Sequence, residues 1–279
     1  MSQAALISAE ELAAAIDRCV VVDCRHELGK PDAGAQAYAA AHIPGAHFLH
    51  GDHDLAGPPN GRNGRHPLPD RETFAAKLRS TGLAPGQLLV AYDGGFAARL
   101  WWMARWIGHA RVAVLDGGIA AWKAAGFPTT AEVPAPRAGG IVAGAPAMPA
   151  LDVDQVMANL ATKAYVVVDA RSADRWRGDT EPIDPVAGRI PGALNRFIGA
   201  NLRPDGRFKP AEVLRAEFDA LLAGRPAAQV VHSCGSGVAA CHNLLAMEIA
   251  GLAGSALYAG SWSEWCADPS RPVGRGPTP

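Results

Sequence analysis

The chain has 279 residues, 49% of them hydrophobic and 19% charged, a composition that excludes a disordered or fibrous protein and leaves room for two domains of ordinary size. Lys and Arg number 26 against 27 Asp and Glu, so a net charge of −1 provides no field to attract nucleic acid or an anionic membrane surface. No apolar run approaches the roughly 20 residues of a membrane helix, and the acidic start MSQAALISAEEL lacks the positive charge of a signal peptide, so a cytoplasmic protein is expected.

Ser8 and Glu11 form an S-x-x-E capping box that opens a first helix. The β-branched run CVVVD (19–23) then predicts a strand that ends in an Asp-x-Arg turn, and HIPGA follows at 42–46. A polar, glycine-rich stretch, GDHDLAGPPNGRNGRHPLP, leads into a helix over 69–82 that starts at Pro and stops at Gly. Next come a strand LLVAY, the turn DGGFAA, and RLWWMARW (99–106), whose aromatic residues have helical spacing and read as packing between layers or domains. A strand VAVL and the motif LDGGIAAW (115–122) close the first half.

PAPRAGGIVAGAPAMP (134–149) has neither helical nor strand period and reads as a linker. Beyond it the same elements return in the same order. Asp152 opens a helix, VVVDAR (166–171) answers VVVDCR, RIPGA (189–193) answers HIPGA, and a helix over 210–224 answers that over 69–82. QVVHSCGSGVAA (229–240) then answers LLVAYDGGFAA, and YAGSWSEW (258–265) answers LDGGIAAW. Four motif pairs in constant order mean two copies of one domain, expected over 1–133 and 150–279. Short apolar strands alternating with helices predict an α/β fold in which each copy is a mostly parallel sheet with helices on both faces.

The second copy sets Cys234 at the carboxyl end of a buried strand, where open α/β sheets place their ligands. Cys-Gly-Ser-Gly ahead of a helix turns successive backbone amides towards one point, and the helix amino terminus adds partial positive charge. Both favour anionic sulfur, so Cys234 is expected to be a nucleophile. The other cysteines, Cys19, Cys24, Cys241 and Cys266, read as small buried hydrophobes; the odd total of five and the scattered spacing suggest neither a disulfide framework nor a metal site. A Cys-x5-Arg phosphatase loop is excluded because position 240 is alanine, and His232 and His242 are not placed to serve as the base of a cysteine hydrolase. In the first copy Asp93 holds the place of Cys234, so that half is expected to be non-catalytic.

The tandem copies, HIPGA and RIPGA, the two D-x-R turns and CGSGV together resemble the two-domain sulfurtransferases of the rhodanese family over nearly the whole chain. The resemblance implies that Cys234 takes sulfur from a small-molecule donor, holds it as a persulfide cradled by the amides of Gly235, Ser236, Gly237 and Val238, and passes it to a thiophilic acceptor such as cyanide, a small thiol or thioredoxin. No metal or organic cofactor is implied. Neutral Gly235 and Ser236 after the cysteine resemble the 3-mercaptopyruvate type more than the thiosulfate type. In that type Ser236 handles the departing enolate, with Asp52 and His66 orienting it or moving protons. Arg175 corresponds to one of two arginines that hold the donor carboxylate. Ile183 stands where the second is expected, leaving Arg177 or Arg189 to replace it, and Ala239 stands where threonine is usual.

Other readings compete at several positions. Arg25 and Arg171 read as structural ion pairs, Asp52 as a solvated turn carboxylate, and Trp265, which has a counterpart in Trp122, as core. Trp262, matched by Ile119, is the expected pocket wall. Three further functions stay open: a thiosulfate-preferring enzyme, a persulfide carrier with little donor activity of its own, and disulfide chemistry between Cys234 and Cys241.

Overall fold

The structure is a computed structural model that describes residues 4–279. The chain forms two compact units. The first contains residues 4–57, 68–147 and 204–208; the second contains 58–67, 148–203 and 209–279. The ten-residue segment 58–67 thus leaves the half of the sequence in which it is written.

The first unit runs β1 (Leu6–Ile7), α1 (Ala9–Ala15), β2 (Cys19–Asp23), α2 (Ala33–Ala40), β3 (His47–Phe48), α3 (Arg71–Ser80), β4 (Leu88–Tyr92), α4 (Gly94–Trp106), β5 (Val112–Leu115) and α5 (Gly118–Ala124). Its five strands pair in the order β1-β5-β4-β2-β3, every pair parallel. The capping box at Ser8 and Glu11 is made on both sides, with the Glu11 amide donating to Ser8 Oγ and the Ser8 amide to Glu11. All four residues of β5, and all but the first of β2 and β4, are buried, as a sheet covered on both faces requires.

The second unit repeats the plan. It runs β6 (Ala150–Leu151), α6 (Val153–Thr162), β7 (Val166–Asp169), α7 (Ala173–Arg177), β8 (Leu194–Asn195), α8 (Ala211–Leu222), β9 (Val230–Ser233), α9 (Val238–Ile249), β10 (Ala256–Tyr258) and α10 (Ser261–Trp265). The order β6-β10-β9-β7-β8 is again wholly parallel. Asp152 caps α6 through a box with Gln155. The three strands foreseen in each half are the three central strands of its sheet. The strands the sequence left unmarked, β1, β3, β6 and β8, have two residues each, too few to show a period.

The two cores share a closing tryptophan. Trp122 closes the first and donates its indole N–H to Pro128; Trp265, fully buried, closes the second and donates to Pro272. Each Asp-x-Arg turn is an ion pair that ties strand to loop: Arg25 grips Asp23, and Arg171 grips Asp169, through both carboxylate oxygens. Each arginine also donates to a backbone carbonyl beside the IPGA motif, Ala41 in one unit and Gly188 in the other. Among the described residues no helix is long and apolar enough to cross a membrane.

Candidate active site

Strand β9 pairs with β7 so that Ser233 lies opposite Asp169, and the chain leaves the sheet at the next residue, Cys234. The loop then curls back on the sulfur. The amides of Gly237 and Ser236 donate to Cys234 Sγ at 3.1 and 3.4 Å, and α9 begins one residue later. Gly237 sits at φ 77°, and a side chain there would run into the carbonyl oxygen of Ala259, so only glycine permits the curl. The loop is pinned from α10: the Cys234 amide donates to Ser261 Oγ (3.0 Å), and the carbonyls of Cys234 and Gly235 accept from Trp262 and Ser263. Cys234 itself is buried.

Ser236 points its hydroxyl at His66, with Oγ 2.8 Å from Nδ1 and both residues buried. His66 reaches it because segment 58–67 is laid on the loop. The Arg65 amide donates to Ser263 Oγ, and Gly64 packs on the backbone of Gly260 so closely that a side chain would not fit. Next to this pair stands a cluster of three guanidinium groups and three carboxylates. Arg171 contacts Glu181 as well as Asp169. Arg175 donates to Glu181 at 2.6 and 3.2 Å and to Asp184 at 3.4 Å. Arg65 pairs with the other oxygen of Asp184. Burial of Glu181 is outweighed by hydrogen bonds from Arg175 and from the Asp184 and Ile183 amides, and its carboxyl lies below the usual range; burial of Asp184 prevails over Arg65 and Arg175 and raises it.

The structure therefore brings Cys234, Gly235, Ser236, Gly237, Val238, His66 and Arg175 to one place, and it puts four other candidate residues elsewhere. Arg189 is buried, stacks on Trp176 (4.0 Å) and spends its guanidinium on the carbonyls of Trp176, Arg275 and Gly276; it holds the C-terminal segment and is not a substrate contact. Arg177 pairs with Asp179 on the surface. Trp262 is not a pocket wall. Its ring is fully buried in the core, with Arg171 over it at 5.0 Å and its indole N–H on Val186, and only its backbone serves the loop. Asp52 belongs to the first unit, 4.0 Å from His26.

His232 and His242 are buried, and desolvation lowers them to about 3 and about 4, so each is a neutral core residue. Arg65 and Asp184 were missed. The signal for Arg65 was its adjacency to His66, in a stretch from which only Asp52 and His66 were singled out.

A model described as the Rhodanese-like domain matches residues 8–125 and again 152–268. The chain belongs to the rhodanese family. Within it, a protein of Pseudomonas aeruginosa named "Probable 3-mercaptopyruvate sulfurtransferase" is 47% identical over 283 residues, covering 99% of this chain and all of that one. Thiosulfate/3-mercaptopyruvate sulfurtransferase 2 of Arabidopsis thaliana is 35% identical over 280 residues, covering 89% of this chain and 78% of its own. Among solved structures, 3-mercaptopyruvate sulfurtransferase from Leishmania major superposes with a TM-score of 0.83 at 31% identity, over 93% of this chain and 73% of that one. In the first unit of this rhodanese-family chain Asp93 ends the matching strand in place of a cysteine, and α4 begins at the next residue, without the three-residue curl that precedes α9. Asp93 Oδ1 accepts from the Ile119 amide, and burial raises its carboxyl to about 6.

Proposed function

We propose that Cys234 carries sulfur as a persulfide, loaded from 3-mercaptopyruvate and unloaded to a thiophilic acceptor, cyanide, a small thiol or thioredoxin, in the cytoplasm. The chain is a sulfurtransferase, as the relatives named for both donors are. The observation that carries the finer reading is the convergence of two backbone amides on Cys234 Sγ beside the Ser236–His66 pair.

In the first half-reaction the Cys234 thiolate attacks the donor sulfur. A new S–S bond forms, the donor C–S bond breaks, and its electron pair passes into the enolate of pyruvate. The proton of the donor thiol replaces the sulfur on that carbon, relayed by Ser236 and His66, while Arg175 holds the donor carboxylate. The loop amides then face the terminal sulfur of the persulfide, where the negative charge comes to rest. In the second half-reaction the acceptor's lone pair attacks that outer sulfur, the S–S bond breaks, and Cys234 is restored. The first copy, with Asp93 in the loop, takes no covalent part and is assigned as the non-catalytic domain.

A preference for thiosulfate is the second reading, and Ile183, where a carboxylate-binding arginine is expected, favours it. Peptide mass after separate treatment with the two donors decides. One added sulfur on Cys234 at far lower 3-mercaptopyruvate than thiosulfate supports the proposal, the reverse preference replaces its donor, and loading by neither makes the chain a carrier supplied by another enzyme.

A further inference from the structure

Arg175 rides on a helix too short to hold itself. α7 has five residues, fewer than an isolated helix needs, and the carbonyls of its last turn require donors from outside it. Two find them locally: the Arg175 carbonyl accepts from the Gly178 amide, and that of Asp174 from the Asp179 amide. The other two are met from elsewhere in the chain. The Trp176 carbonyl accepts from Arg189 Nη1 at 3.3 Å, and the Arg177 carbonyl from the Gly276 amide at 2.9 Å. These two donors are themselves joined, because the same Nη1 donates to the Gly276 carbonyl (2.8 Å) while the Arg189 backbone both donates to and accepts from Gly274. The guanidinium lies over the Trp176 ring, at the negative end of the α7 dipole, and is buried with its Nε unpartnered.

A histidine fills the same seat in the first unit. His42 stacks on Tyr38 at 3.9 Å, its ring nitrogens lie 2.7 and 3.0 Å from the carbonyls of Tyr38 and Glu132, and its backbone pairs with Thr130. There the helix, α2, has eight residues and presents no side chain to a substrate. In the second unit the arginine accompanies a shorter helix that aims Arg175 at the loop. We propose that Arg189 is a positioning residue for donor binding, acting through α7 to fix where Arg175 offers its guanidinium to the donor carboxylate. The proposal rests on the role given above to Arg175 and adds the group that places it. The lever is short. Trp176, whose ring and carbonyl Arg189 holds, is the next residue after Arg175, whose terminal nitrogens stand 3.6 and 3.8 Å from where a methyl group on Gly235 would be. Without Arg189 the Trp176 carbonyl loses its donor and segment 274–276 loses its hold on the helix end, so the last turn frays. The Trp176 indole still donates to Ala193 at 2.9 Å, so the fold survives and the aim of Arg175 is lost. A forked guanidinium contact is directional, and a displacement of about 1 Å removes much of it.

The test reads carboxylate recognition without relying on sulfur transfer. Reduced protein is alkylated at Cys234 by iodoacetate or by neutral iodoacetamide, the thiolate displacing iodide in each case, and rates are read from the mass of the Cys234 peptide. Arg189→Met keeps an apolar chain on Trp176 and donates nothing; its ratio of iodoacetate to iodoacetamide rates is expected to fall about fivefold, with Arg189→His between it and the wild type. Gly276→Pro deletes the amide that the Arg177 carbonyl accepts and leaves the core untouched, so it should lower the ratio too and carries the test if Arg189→Met does not fold. In the Arg175→Gln background either substitution should change the ratio by less than about twofold, because the group being positioned is gone. Arg225→Gln, an exposed charge lost from the same unit, should leave the ratio within about twofold. In turnover, Arg189→Met raises KM for 3-mercaptopyruvate far more than it lowers kcat. An unchanged ratio in Arg189→Met or, where that variant does not fold, in Gly276→Pro, or an equal fall with and without Arg175, overturns the assignment. A wild-type ratio in Arg175→Gln alone overturns the role of Arg175 and this inference with it. Failure of wild-type protein to load sulfur from 3-mercaptopyruvate overturns the donor reading instead and leaves the alkylation ratios to decide about Arg189.

Discussion

Replacing Ser236 with alanine separates the two donors. The substitution removes one oxygen, 2.8 Å from His66 Nδ1, and leaves the Ser236 amide on Cys234 Sγ because that contact is backbone. Only the 3-mercaptopyruvate half-reaction moves a proton to carbon; loading from thiosulfate releases sulfite and has no such need. General acid and base groups contribute typically about 10²- to 10⁴-fold. Part of the proton path survives in His66, so the lower end applies: about 100-fold in the rate of pyruvate release, or ~2.7 kcal/mol at 1.36 kcal/mol per tenfold. The buried imidazole also loses a hydrogen bond, which costs about 1–3 kcal/mol of stability. The assay is single-turnover loading of reduced protein, with pyruvate followed against time and the Cys234 persulfide counted by mass, and thiosulfate run in parallel. Equal losses with both donors, or less than a threefold loss with 3-mercaptopyruvate, would refute the role given to the Ser236–His66 pair.

Three further outcomes are expected. Gly237→Ala pushes a methyl group into the Ala259 carbonyl at a left-handed backbone position, so it should lower stability by about 2 kcal/mol or more in chemical denaturation and abolish persulfide loading. Asp184→Asn removes a carboxylate that Arg175 holds at rest and should lower KM for 3-mercaptopyruvate severalfold at neutral pH, as seen in steady-state kinetics. Asp93→Asn acts on the first unit through pH. The folded carboxyl titrates near 6 against about 3.9 unfolded, so the wild type loses stability as pH rises through 6; the variant should gain on the order of 2 kcal/mol at pH 8 and almost nothing near pH 4, read from denaturant midpoints.

The repeated fold was legible because its signals are local: β-branched runs for the central strands, capping residues at the helices, and motifs repeated at a steady interval. The loop that curls onto Cys234 was legible for the same reason, since strand, cysteine, glycines and helix are consecutive in sequence. What escaped depends on where side chains end. Arg189 and Arg65 are both arginines near motif residues, and no local pattern distinguishes one that stacks on Trp176 and ties down the C-terminus from one that hangs over Gly235. Trp262 misled in a related way. Its mismatch with Ile119 suggested a special role, but a larger side chain in the second copy simply fills more of the core beneath Arg171.

The first unit also shows what a carboxylate does at the strand end that Cys234 occupies in the second. In the first unit Asp93 turns an oxygen onto the Ile119 amide at the start of α5; in the second the Trp262 amide, at the matching place in α10, is taken by the Cys234 carbonyl. The side chain of Asp93 thus satisfies from within the donor that backbone satisfies in the other copy. A cysteine sulfur at Asp93 would reach that amide less well, and a carboxylate at Cys234 would occupy the loop amides in place of an anionic sulfur. Restoring cysteine at position 93 would therefore not restore a second active site, because the first unit has neither the Ser236 hydroxyl, replaced by Gly95, nor the Gly-Ser-Gly curl that turns two amides onto one sulfur.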